Sequence, residues 1–376
     1  MTFPIYLDNG TMTKPSAYVS QQMTPFLKRY WHAEKACYLP GKEPFSSLNR
    51  SVSAVCDLVG ANDNDQFAAT SSAAAALQTL SRALYLERIV SEGCNHLLTT
   101  EIEESAMRVA LDQWEKGGCV VKNIPLNCSG QVTKAALESA LSPRTALVSL
   151  AWANSMTGVV HPMWELAEVC REKGVWLHVD VSSVIGKLYF QWRDLPIDFL
   201  TFDADRIHGP RGSGVLLSRA HHKLQLFAAE LINPAAIVGL GIACEEAVDY
   251  FDHLSVETAR LRTIFEQGIV AGCRAKVLFE AAERLPHVST LVFPGISAEM
   301  LAFCLKEAGV YANLGNVRYP SLAHVLTVLG VNAQEAQQAL SFGLSRLTTI
   351  EEIKKAVGII TDRVNQCQSL SQKVTL

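Results

Sequence analysis

In the stretch TFDADRIHGPRGSG, residues 201–214, Arg206 follows Asp203 and Asp205 and precedes His208 and a glycine–proline turn. A guanidinium keeps its proton at any physiological pH, and its delocalised nitrogens do not attack a carbonyl carbon. Its chemistry here is electrostatic: it can grip a carboxylate in a two-pronged contact, or it can extend to solvent. With Glu104 of IEESAM, the group Asp203, Asp205 and His208 could move protons, although no spacing among them specifies a reaction. Two further segments have chemical potential. In ATSSAAAALQ (69–78), Ser71 and Ser72 can cap a helix whose N–H groups could hold a phosphate, or they can serve as an ordinary cap. In HVDVSS (178–183), Asp180 can bind a cationic ring nitrogen or cap the next turn.

These residues need elements to position them, and the sequence alternates accordingly. QFAA (66–69), LLTT (97–100), CVVKNIPL (119–126), TALVSLA (145–151) and VWLHVD (175–180) read as strands. Helical patterns lie between them at 72–90, 103–116, 133–141 and 163–173. Short apolar strands separated by helices predict βαβ units and a mostly parallel sheet flanked by helices. Ligands of such sheets bind at the carboxyl ends of the strands, which is where all three segments fall. After 214–217 the alternation fades, and one long helical stretch from about 235 to 267 leads to a smaller C-terminal α+β region.

Composition excludes some partners. The 376 residues are 49% hydrophobic and 19% charged, with a net charge of −4, so the chain is globular, and its scattered lysines and arginines make no nucleic-acid footprint. The longest apolar run, AAIVGLGIAC (235–244), is about half of the ~20 residues that cross a bilayer. Ten cysteines occur with no CxxC pair, so no metal site or disulfide framework is expected. With no basic start before an apolar stretch, no secretory signal is expected and a cytoplasmic location is.

Taken in order, IYLDNGTMT (5–13), ANSMTGVV (153–160), CREKGVWLHVDVSSVIGKL (170–188), RIHGPRGSGVLL (206–217) and SFGLSRLTTIEEI (341–353) resemble the cysteine desulfurase branch of the class V aminotransferases. That resemblance implies a type I pyridoxal-phosphate (PLP) fold. It also implies a large α/β domain over 15–255, and a small α+β domain formed by 1–14 and 256–376.

It implies as well what this sequence replaces. The family's Schiff-base lysine aligns with Arg206, and the preceding Ser-x-His positions are Asp203 and Asp205. A Schiff base needs an amine that can become neutral, so Arg206 cannot carry a covalent cofactor. The phosphate-binding step after Ser72 reads Ala73-Ala74, the ring-stacking histidine is Glu104, and the glutamine after the strand-end aspartate is Ser183. Ser155 and Ser341 stand at two further site positions, the second that of the substrate-gripping arginine. The Arg-Ser-Gly-Thr segment has no counterpart in 228–239, and the loop LGNVRYPSLAHVL has no persulfide cysteine, Cys304 being core packing. Asp180 and Asn154 are the matched polar groups.

The expectation is a protein that has lost Schiff-base and persulfide chemistry and serves as a scaffold or regulator in sulfur transfer or iron–sulfur assembly. PLP would then be at most a weak non-covalent ligand. A homodimer is expected through 6–27 and 235–254, with an active desulfurase paralogue or an iron–sulfur scaffold protein as possible partners. The alternatives are a PLP-dependent enzyme with an altered site and an ordinary desulfurase. Arg206 is expected to pair with Asp180, Asp203 or Asp205 inside the cavity.

Overall fold

The computed structural model describes residues 4–30, 43–222, 233–315 and 320–374. Residues 228–232 of the first missing family segment, and 316–319 of the expected cysteine loop, lie outside the described residues.

The central sheet holds β2 (Gln66–Thr70), β3 (His96–Thr99), β4 (Val120–Asn123), β5 (Thr145–Ala151), β6 (Trp176–Asp180), β7 (Phe199–Asp203) and β8 (Gly214–Ser218), after a short β1 (Ile5–Tyr6). Their order is β2-β8-β7-β6-β5-β3-β4. All pairs are parallel except those that β8 makes with β2 and β7. Strands buried on both faces carry unbroken apolar runs, as TALVSLA does in β5.

Helices α1 (Ala17–Lys28), α2 (Glu43–Val59), α3 (Ala73–Leu84), α4 (Ser105–Lys116), α5 (Lys134–Ala140), α6 (Met163–Lys173) and α7 (Pro234–Asp249) belong to this part of the chain. Helix α6 buries Met163, Leu166, Ala167, Val169 and Cys170, an i, i+3, i+4 stripe, and stops at Gly174, whose φ of 65° is left-handed.

The expected single helix from 235 to 267 is interrupted. Helix α7 ends at Asp249, a widened turn covers His253–Glu257, and α8 runs from Thr258 to Gly272. The two helices serve different cores. Leu240, Ala243, Cys244 and Ala247 of α7 join the core under the sheet, whereas Leu261, Phe265 and Ile269 of α8 join a second one with Ile5, Leu7 and Phe342.

That second core lies among β9 (Lys276–Val277), β10 (Val288–Val292), α9 (Ala298–Glu307), β11 (Val310–Tyr311), β12 (Ala339–Gly343) and α12 (Ile350–Val374), whereas α10 (Leu322–Val328) and α11 (Ala333–Ala336) pack in a separate cluster with Ile102 and Met156. Strand β1 pairs in parallel with β11, which ties the N-terminus to this region.

Helix α7 is also more enclosed than expected of an interface element. Its apolar residues from Ala235 to Ala247, apart from the partly buried Ile242, are buried within the single chain. A Cβ on Gly241 would lie 2.4 Å from Cα of Ser51, so α2 packs directly on it. Gly214 permits a second close approach, since a Cβ there would lie 2.6 Å from the carbonyl carbon of Ser72. This contact seats the start of α3 against β8.

Gly214→Ala should therefore lower stability by roughly 1–3 kcal/mol, the cost of forced overpacking. Gly358→Ala, where a Cβ meets open space, should be neutral or better. Equal thermal unfolding of the two variants would contradict this packing.

Candidate functional site

The strand order gathers one set of side chains at one end of the sheet. Asp180 ends β6, Asp203 ends β7, and Ser72 precedes α3 just beyond the end of β2. Glu104 immediately precedes α4 beyond β3, and Asn154 follows β5. A single 3-10 turn after β7, Ala204–Arg206, turns Arg206 inward, where it is 1% exposed.

Arg206 is held from several sides. Its Nη1 donates to the carbonyl of Gly10 at 2.6 Å, and its Nη2 donates to Oε1 of Glu104 at 2.8 Å. Nε lies 3.7 Å from Oδ1 of Asp205. The expected burial of the guanidinium is observed, but its close carboxylate partner is Glu104 and not Asp180. Asp180 is engaged elsewhere, its Oδ1 accepting from the backbone N–H of Ser182 at 2.8 Å. Glu104 reaches the guanidinium because α4 begins at the same sheet edge.

Asp203 has a separate partner. Its Oδ1 accepts from the N–H of Ala73, the first residue of α3, at 2.6 Å. Ser72 Oγ accepts from Ala75 N at 3.2 Å. A carboxylate therefore sits on the positive end of α3, where a helix would otherwise offer N–H groups to an anion. Ala74 follows Ala73 in the same helix.

Other expected site residues hold the framework. Asn154 Oδ1 accepts from Met156 N at 3.1 Å and Thr157 N at 3.0 Å. Ser341 Oγ donates to the carbonyl of Met156 at 2.7 Å. Ser155 and Ser183 are buried, and Cys304 packs half-buried against the second core. His208 is buried with φ of 64°, and its Nδ1 is 2.8 Å from the carbonyl of Lys14. Burial first, then the charge of Arg346, lowers its pKa to about 4, so near neutral pH it is an uncharged positioning group.

Two groups escaped the sequence reading. Glu103 is buried, accepting from Thr100 Oγ1 at 2.8 Å and Ala151 N at 3.0 Å. Burial, with smaller contributions from Asp180 and Glu104, raises its pKa to about 7. Lys187 is buried, donating through Nζ to the carbonyl of Arg206 at 3.1 Å, and burial followed by the charge of Arg206 lowers it to about 7. Adjacent glutamates and the run IGKL were the only signals in the sequence, and neither identifies a buried titrating group.

Asp180 keeps some exposure, yet loss of water and the charge of Glu104 raise its pKa from 3.8 to about 7, against the lowering effect of Ser182. Among the described residues, the site thus gathers carboxylates around the permanent cation of Arg206.

A mostly parallel sheet with one antiparallel strand, helices on its flanks and a site at the strand ends define an α/β fold of the PLP type I kind. A family model described as aminotransferase class-V matches residues 5–355, and the chain belongs to that family. A cysteine desulfurase of Bradyrhizobium diazoefficiens is 30% identical over 382 residues, covering 98% of this chain and 96% of its own. One of Cereibacter sphaeroides is 32% identical over 384 residues, covering 98% and 97%. A solved NifS-like protein shares the fold with a TM-score of 0.87 at 24% identity, over 96% of this chain and 99% of its own. The cysteine desulfurase CsdA of Escherichia coli does so with a TM-score of 0.79 at 17% identity, over 98% and 95%.

The raised pKa of Asp180 has a pH consequence. Its folded form holds a proton more tightly than the unfolded chain, so this group's contribution to stability declines as pH rises from 3.8 to about 7. Asp180→Asn removes that decline. Relative to wild type, the variant's melting temperature should be higher near pH 8 than near pH 5, comparing the difference at each pH. A difference independent of pH would show that Asp180 ionises as an ordinary carboxyl.

Proposed function

We propose that this chain is a non-catalytic member of the cysteine desulfurase branch, acting as a homodimeric scaffold or regulator in sulfur transfer or iron–sulfur assembly. One observation carries the reading: at the position of the family's Schiff-base lysine, a fully buried guanidinium is locked to Glu104 and the Gly10 carbonyl. PLP is the family's cofactor, supplying an electron sink once joined to a lysine amine. The residues here do not fit it. Arg206 offers no neutral amine, Asp203 occupies the first N–H of α3, and Glu104 adds negative charge where a phosphate ester would approach.

The branch supports a role in sulfur chemistry through its relatives, which are named cysteine desulfurases. The homodimer rests on exposed apolar side chains, including Tyr189 at 76% and Val256 at 70%, that a subunit contact would cover. A monomeric mass by light scattering would remove that part of the reading.

A second reading, a PLP enzyme with an altered site, has one observation in its favour. Lys187, beside Arg206, is the kind of buried amine that can be neutral near pH 7.

Incubation with PLP, borohydride reduction and peptide mapping separate the two. The first reading predicts no imine absorption band and no reduced adduct, in wild type and in Asp203→Ser alike. A stable adduct on Lys187, with sulfide released from cysteine, would replace it with the second.

A further inference from the structure

A cluster of metal-binding side chains lies at the end of the sheet opposite Arg206. Asp198 immediately precedes β7, and His221 and His222 follow β8, which runs antiparallel beside it. Nε2 of His222 is 2.9 Å from Oδ1 of Asp198, and Nε2 of His221 is 3.7 Å from the same oxygen. One ligand atom from each residue falls within 4.8 Å of the others. Bonds of about 2.1 Å at a tetrahedral angle place ligand atoms roughly 3.4 Å apart, so these spacings bracket what one ion requires.

The groups behind the cluster are already ordered. Oδ2 of Asp198 accepts from Leu177 N at 2.8 Å, which turns Oδ1 toward the histidines. The His222 ring packs at 4.5 Å from Phe199 and 4.7 Å from Trp176, centroid to centroid, and its carbonyl accepts from Gln66 Nε2 at 2.6 Å. The neighbouring cation Arg219 is directed to Asp65, at 2.9 Å. His222 is 3% exposed at its side chain and His221 is 68% exposed, so the cluster has both a rigid floor and an open entry. Fixed outer contacts of this kind orient ligands for a metal.

We propose that Asp198, His221 and His222 bind a divalent transition-metal ion of the zinc class, with water completing the coordination. Two imidazoles and one carboxylate suit zinc, cobalt, nickel or copper and not magnesium or calcium. Adjacent histidines with an aspartate 23 residues earlier form no spacing motif, which is why no metal was expected from sequence. The site is remote from the cofactor-type pocket, and its role is structural: it pins the end of β8 to the start of β7.

The test uses the full chain with any affinity tag removed. Titration with Zn²⁺ should show binding to one site and a rise in melting temperature, and Co²⁺ should give the intense visible absorption of a low-coordinate site. His221→Ala removes an exposed ring and should weaken Zn²⁺ binding at least about tenfold and abolish the thermal shift. His221→Gln should do the same, which guards against misfolding of the first variant. No Zn²⁺ binding by wild type, or affinity unchanged in both variants, would overturn the site and leave an Asp198–His222 hydrogen bond alone.

Discussion

The end of the sheet is organised by a buried positive charge that cannot be neutralised by losing its proton. An arginine 1% exposed must be matched by carboxylates and hydrogen-bond acceptors, or its desolvation would cost several kcal/mol. Glu104 and the Gly10 carbonyl supply the close partners, and Asp205 stands behind them. This constraint reaches through the chain. The N-terminal turn must present Gly10, α4 must begin where Glu104 faces inward, and the 3-10 turn after β7 must tuck Arg206 beneath both. Carboxylates left outside the pair, Asp180 and Glu103, hold protons up to about pH 7.

Asp203 and Gly214 extend the same logic to α3. Gly214 lets β8 approach the helix start, and Asp203 places its carboxylate on the first N–H. An internal negative group thus satisfies a helix end that would otherwise invite an anion. Together Asp203, at the end of β7, and Arg206, in the turn after it, each hold an intramolecular partner.

Much of this frame was legible in the sequence, because it rests on local signals. The apolar run of β5 and the stripe and terminal glycine of α6 fixed those elements closely. Arg206 was recognisable as a group confined to electrostatic chemistry, and its burial was what the family resemblance implied, since the residues alone left extension to solvent open. Asp205 was among the expected partners and lies 3.7 Å from Nε, but the closer partner was not legible, since Glu104 lies 102 residues away and its approach depends on how α4 seats against the sheet. The cap by Asp203 depends similarly on the contact of Gly214 with Ser72. The break between α7 and α8 escaped notice because helical periodicity continues while the chain passes from one core to another.

The central claim is that the buried Arg206 and the partly exposed Glu104 form a mutually dependent pair, and a double-mutant cycle measures it most directly. Glu104→Gln, Arg206→Met and the double variant would be compared by denaturant unfolding of the full chain. Glu104→Gln alone should cost about 3 kcal/mol, because it leaves the guanidinium without its nearest charge partner. The double variant should recover most of that loss, giving a coupling energy well above about 1 kcal/mol. Additive effects of the two substitutions would contradict the account and show that the buried guanidinium is held by its other acceptors and not by Glu104.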